Sequence, residues 1–104
     1  MISDPVRTPC LYLVSCEFAP IDDLPAWNDW YEQIHIPDML SVPGIQAVRR
    51  YQRLGTCAHY LAVYEIDSPK VFDEPRYGEV RGWGPWADHI VSWSRELLRR
   101  EVLV

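Results

Sequence analysis

The stretch WNDWYEQIHIPDML, residues 27–40, gathers a histidine, acidic side chains, a tyrosine and two tryptophans into fourteen positions. An imidazole titrates near neutrality and can take or give a proton at working pH, so His35 is the first residue to which acid–base chemistry falls. Tyr31 lies one helical turn before it on the same side. Asp38, three residues after it, is placed to hold one ring nitrogen and so to select the tautomer. A plainer reading is a histidine at a helix end, interacting with the last free carbonyls, which the helix dipole favours.

His89, in GPWADHI, is the second acid–base residue, with Trp86 one turn before it. If a short second helix lies beside the first, His89 and His35 face one cavity; otherwise His89 is a surface histidine. His59 opens a strand and reads as surface. The five tryptophans and six tyrosines exceed what packing alone requires, and each indole N–H wants a partner. Trp27, Trp30, Trp83, Trp86 and Trp93 are read into the helical regions, where they would roof a pocket. Trp27, Trp83 and Trp86 are taken as walls for an apolar, aromatic or polyketide-like ligand. Tyr51, Tyr64 and Tyr77 are each able to present a hydroxyl to it.

Other chemistries read poorly. No H-x-H, H-E-x-x-H or Cys/His cluster offers a chelate, so no metal is expected. The Gly82/Gly84 pair in RGWGPW lacks the flanking strand of a phosphate loop, and no nucleophile elbow supports Ser/His/Asp hydrolysis. Cys10, Cys16 and Cys57 have no CxxC spacing and read as reduced, mostly buried thiols. No cofactor is expected.

The elements that must position these residues emerge from periodicity. CLYLVSCEF (10–18) is a strand bounded by Pro9 and Pro20, with neither face frankly polar. Asp22 and Asp23 before Leu24-Pro25 suit a helix start, and Leu24, Trp27, Tyr31 and Ile34 recur at helical spacing. Pro37 should end or kink that helix near His35. VPGI turns into a second strand, IQAVRRYQRL, and GTCA joins it to a third, HYLAVYEI. Ser68 caps a short helix opened by Pro69, and Pro75 and the Gly82/Gly84 pair break the chain beyond it into short helical pieces. VSWSRELLRREVLV carries helix formers beside strand formers and is assigned mainly as strand. The order β-α-β-β-α-β is the ferredoxin-like split βαβ arrangement of an α+β fold, one four-stranded antiparallel sheet with helices on one face. The first and third strands are apolar on both faces, and two helices cover only one. A homodimer through the other face is the simplest remedy.

A chain of 104 residues, 48% of them hydrophobic, is read as a single domain, 1–104. A net charge of -5 argues against nucleic acid, and Arg49-Arg50 and Arg99-Arg100 read as surface pairs. MISDPVRTPC is no signal peptide and the apolar runs are of strand length, so a cytoplasmic protein without a membrane span is expected.

WYEQIHIPDML, VPGIQAVRRY, YLAVYEI and the SPKVF…Y…GPW stretch resemble the dimeric α+β barrel superfamily, and within it the EthD-like and uncharacterised small catabolic proteins. The resemblance spans roughly Trp27 to Trp86. It implies a pocket between sheet and helices in each subunit, and two sheets packed face to face. It also implies a functional tyrosine in the segment holding Tyr77. Its members include cofactor-free polyketide cyclases, ring-cleavage isomerases, and quinone-forming and haem-degrading monooxygenases, so it does not select a reaction. The expectation is a cofactor-free isomerase, cyclase or lyase acting on an aromatic or polyketide-like carbonyl or phenolic metabolite, with His35 as base or acid and Tyr77 or His89 as its partner. The alternatives are a non-catalytic binder of such a metabolite or of haem, and a monooxygenase of the same superfamily.

Overall fold

The structure, a computed structural model, describes residues 9–56 and 58–101. Cys57 and the first and last few residues lie outside them. The strands are β1 (Cys10–Phe18), β2 (Ile45–Gln52), β3 (His59–Ile66) and β4 (Ile90–Arg99), in the order β2-β3-β1-β4 with every neighbouring pair antiparallel. The α-helices are α1 (Leu24–Trp30), α2 (Ile36–Leu40) and α3 (Pro75–Val80). This is the split βαβ arrangement expected from the order of the elements.

Register decides which side chains meet the helices. Tyr12 pairs with Tyr64, Val14 with Ala62 and Cys16 with Tyr60, and successive strand residues alternate faces. Tyr12, Cys16, Ala62 and Tyr64 are buried beneath the helices with Phe18, Trp27, Tyr31 and Met39. Leu11, Leu13, Leu61 and Val63 therefore look out from the opposite face, which no helix among the described residues covers.

Pro37 does not stop the first helix. Residues 24–40 run on as one helical segment, with a single wide π turn over Tyr31–His35 in which the Ile36 N–H reaches the Tyr31 carbonyl. A proline inside a regular helix removes one bond and presses on the carbonyl four residues back. Placed just after the wide turn, Pro37 instead occupies the first turn of α2, where no donor is needed. His35 thus sits inside the helical run, on its buried side, and the helix-end reading does not hold. The run closes where the Ser41 hydroxyl bonds the Asp38 carbonyl at 2.5 Å.

Pro75 likewise opens α3 where the sequence suggested a break. Ser68 does cap its short helical turn, its Oγ accepting from the Lys70 N–H at 3.1 Å. Glu96 and Leu97 are strong helix formers, yet β4 is a strand over its whole length. Pairing with β1 from Cys10↔Arg99 to Phe18↔Ile90 outweighs local propensity. Trp93 consequently lies on a strand and not in the helical roof. No helix among the described residues is long and apolar enough to cross a membrane.

Candidate functional site

A cavity of about 110 Å³ opens between the helix-facing side of the sheet and residues 31–39, with Tyr77, Arg81 and Trp83 closing it from the other side. His35 is 4% exposed and lies against this space. Its ring stacks on Trp30 at 4.9 Å and meets the edge of Tyr31 at 4.8 Å. Burial pushes its pKa down to about 4; the negative charge of Asp38 opposes that shift and the Arg50 guanidinium adds to it. At neutral pH the imidazole is uncharged. No side-chain hydrogen bond from the described residues reaches it, so a free nitrogen lone pair is available beside the cavity.

Four tyrosines line the same cavity: Tyr12, Tyr31, Tyr64 and Tyr77. Tyr31 and Tyr64 share a buried hydrogen bond, hydroxyl to hydroxyl, of 3.1 Å. The Tyr12 hydroxyl accepts from Arg95 Nη1 at 3.4 Å. Burial holds the Tyr31 and Tyr77 hydroxyls up at about 12, with Tyr12 beside Tyr77 acting in the same direction, and it raises Tyr64 too. These groups are hydrogen-bond donors at neutral pH, not phenolates. Arg81 and Arg95 add two cations to the wall.

The expected site residues divide. His35, Tyr31, Tyr64, Tyr77 and Trp83 share the cavity. His89 does not line it: the ring stacks on Phe18 at 5.2 Å and its Nε2 lies 3.2 Å from Asp23 Oδ2, so the two histidines serve different places. In the short turn that carries His89, Gly84–His89, Gly84 lies against Trp30, while His89 itself reaches Asp23 at the start of helix α1 and not His35. Trp86 belongs with His89 and Phe18. Trp27 is wholly buried, stacked on Phe18 at 4.5 Å, and is core. Tyr51 pairs with Leu61 on the outer face of the sheet and is 52% exposed. Asp38 does not hold the imidazole; its carboxylate lies 3.5 Å from Arg76 Nη2.

Sequence reading missed three arginines and one tyrosine. Arg49 and Arg50 are not a surface pair. Adjacent strand residues point to opposite faces, so Arg49 meets Glu65 outside while Arg50 turns inward over the rings of Trp27, Tyr31 and Tyr60, 4.0 Å from the centre of Tyr31. Strand alternation alone would have flagged Arg50, and likewise Arg95 and Tyr12. Arg81 comes directly after α3 and had no such signal. Among the described residues no three His, Cys, Asp or Glu side chains are grouped to hold a metal ion.

No family profile and no curated protein matches the sequence. Solved structures do match the fold. A dimeric ferredoxin-like protein from an uncultured marine organism superposes with a TM-score of 0.70 at 13% identity, over 97% of this chain and 96% of that one. The chain has a ferredoxin-like fold. An antibiotic biosynthesis monooxygenase matches at 0.66 with 8% identity, over 91% of this chain and 99% of that one. A variant of MhuD with two manganese protoporphyrin IX molecules per active site matches at 0.70 with 12% identity, over 92% and 98%.

Proposed function

We propose that the cavity binds a compact aromatic or polyketide-like carbonyl or phenolic compound, and that His35 exchanges a proton with it without a cofactor. One observation carries this reading. A neutral imidazole with no side-chain hydrogen bond among the described residues shares a cavity with four tyrosines and two arginines. In that arrangement His35 takes a proton from the carbon next to a carbonyl, or from a phenol hydroxyl, and Tyr77 donates a hydrogen bond to the enolate or phenolate oxygen that forms. Such positioned proton transfer contributes on the order of 10²- to 10⁴-fold. Isomerisation, cyclisation, dehydration and C–C cleavage all pass through such an enolate. The W-Y-x-x-H-x-P motif makes an EthD-like relationship part of this proposal.

Burial acts on the base in two ways. It keeps the imidazole unprotonated down to about pH 4 and it weakens the imidazole as a base. An electron-withdrawing carbonyl on the substrate, or negative charge brought in with it, offsets the second effect.

The name of one neighbour, a monooxygenase, raises a second reading, oxygenation, and the manganese protoporphyrin held by another raises the question of a porphyrin. The cavity of about 110 Å³ lies below the roughly 300–1,000 Å³ typical of drug-sized ligand sites, so a small phenol suits it better than a porphyrin. Oxygenation would therefore be of a phenol without haem, and oxygen uptake on an electrode separates it from proton transfer. The test of the main reading is the His35 imidazole signal in NMR, with and without phenolic and aromatic carbonyl compounds. A displaced pKa that moves with one ligand class directs assays to that class; an ordinary pKa that ignores every ligand removes His35 from the chemistry.

Two copies are further proposed to pack sheet to sheet. Leu11, Leu13, Leu61 and Val63 are the apolar part of the uncovered face, beside Tyr51, with the Arg49–Glu65 ion pair and Glu96 among them.

A further inference from the structure

We infer that the ligand of this cavity carries an anionic oxygen, a carboxylate or an ionised phenol, and that Arg50 receives it. The inference rests on the proposed ligand site and narrows its substrate class. Beside the main cavity lies a second void of about 10 Å³, which shares the lining residues Val14, Tyr31 and Trp83 with it. That volume suits one water or one ligand oxygen.

Two side chains that border the void carry a donor with no hydrogen-bond partner among the described residues. The Arg50 side chain is 8% exposed, its Nη1 lies 3.2 Å from Glu32 Oε2, and its Nη2 is buried with no hydrogen-bond partner. The indole Nε1 of Trp27, a residue with no exposed surface, is also without one. Buried N–H groups are nearly always paired, and two orphans on one small void mark a place made for an acceptor. The guanidinium is held flat between Trp27, Tyr31 and Tyr60, so its fork is fixed before a ligand arrives.

Charge decides between a neutral and an anionic guest. Glu32 offsets part of the Arg50 charge, but its side chain is 56% exposed and shares its field with solvent, while Arg50 is enclosed. Arg81 and Arg95, on the wall of the main cavity, add positive potential that Glu32 does not reach by contact. The enclosure favours an anion over a neutral amide or alcohol of the same shape.

The test compares benzoate, 4-nitrophenolate and the neutral benzamide on the full chain at pH 8. Affinity is followed by tryptophan fluorescence, and the guanidinium ¹⁵N signal of Arg50 and the imidazole signal of His35 by NMR. At least one anion should bind about tenfold or more tightly than benzamide and shift the Arg50 signal; which one does so identifies the kind of oxygen. Arg50→Gln should erase that preference. Because Arg50 packs in the core, the ¹⁵N shift in the unaltered protein decides the matter if the variant does not fold. Binding of benzamide that moves His35, with no advantage for either anion or no response of Arg50, overturns the anionic oxygen and leaves the pocket standing. Failure of all three to bind overturns both.

Discussion

At the scale of single residues, the chemistry turns on how burial sets protonation. His35 in the folded chain ionises near 4, against an ordinary 6.5 in the unfolded one. The unfolded state therefore takes up a proton first as pH falls. His35 costs the fold nothing above about pH 6.5, destabilises it progressively between 6.5 and 4, and adds no further loss below that. At about 1.4 kcal/mol per pH unit the full loss is on the order of 3 kcal/mol. Urea denaturation at pH 7.5 and pH 4 should show that difference shrinking in His35→Gln relative to the unaltered chain. Comparing the two proteins cancels the carboxylates that titrate in the same range, and equal pH slopes would mean that the imidazole is not buried as described. Arg50 shows the complementary case, a charge kept in the interior by three aromatic faces and one carboxylate.

At the scale of elements, the wide turn over Tyr31–His35 and the link from α2 to β2 set where the site residues stand. Gly44 lies in that link with φ +94°, and its carbonyl accepts from the Asp67 N–H at 2.9 Å. A Cβ there would collide with Val71 Cγ1, on a buried side chain that has no room to withdraw. Gly44→Ala should therefore lower unfolding free energy by about 1–3 kcal/mol, from backbone strain with the collision added. Gly55 provides the control, since its φ is +85° but nothing lies within 4 Å of its would-be Cβ. Gly55→Ala should cost less than Gly44→Ala in chemical denaturation; equal costs would show that Val71 gives way.

At the scale of the whole molecule, the uncovered sheet face is the unsolved part of the packing. Leu13 and Val63 stand opposite one another at its centre. If two copies cover this face, sedimentation equilibrium should return a mass near twice the 12.2 kDa of the chain. Leu13→Asp should then return a single-chain mass with an unchanged far-ultraviolet spectrum, because the substitution touches neither the helices nor their side of the sheet. A monomer at micromolar concentration in the unaltered protein would remove the face-to-face dimer.

The hydrophobic pattern by itself determined the order of the first three strands and of the helices, and the doubly apolar character of β1 and β3. Those properties are local, since strand period and helix period are written into neighbouring residues. Of the proposed site residues, His35, Tyr31 and Tyr64 were legible for the same reason, each falling on the buried side of a helix or strand, whereas Tyr77 came from the family resemblance and Trp83 from a tryptophan-rich stretch with no period of its own. The features that tertiary structure alone decided depend on contacts between distant segments. Pro37 stays within the helical run because a wide turn precedes it. His89 goes to Asp23 and Phe18 because the end of its turn lies at the start of helix α1. β4 is a strand because β1 offers it a complete ladder. Arg50 counts as an interior group only once pairing with Ala62 turns it toward the helices. Periodicity says which residues are turned inward, and only the packed fold says which of them meet.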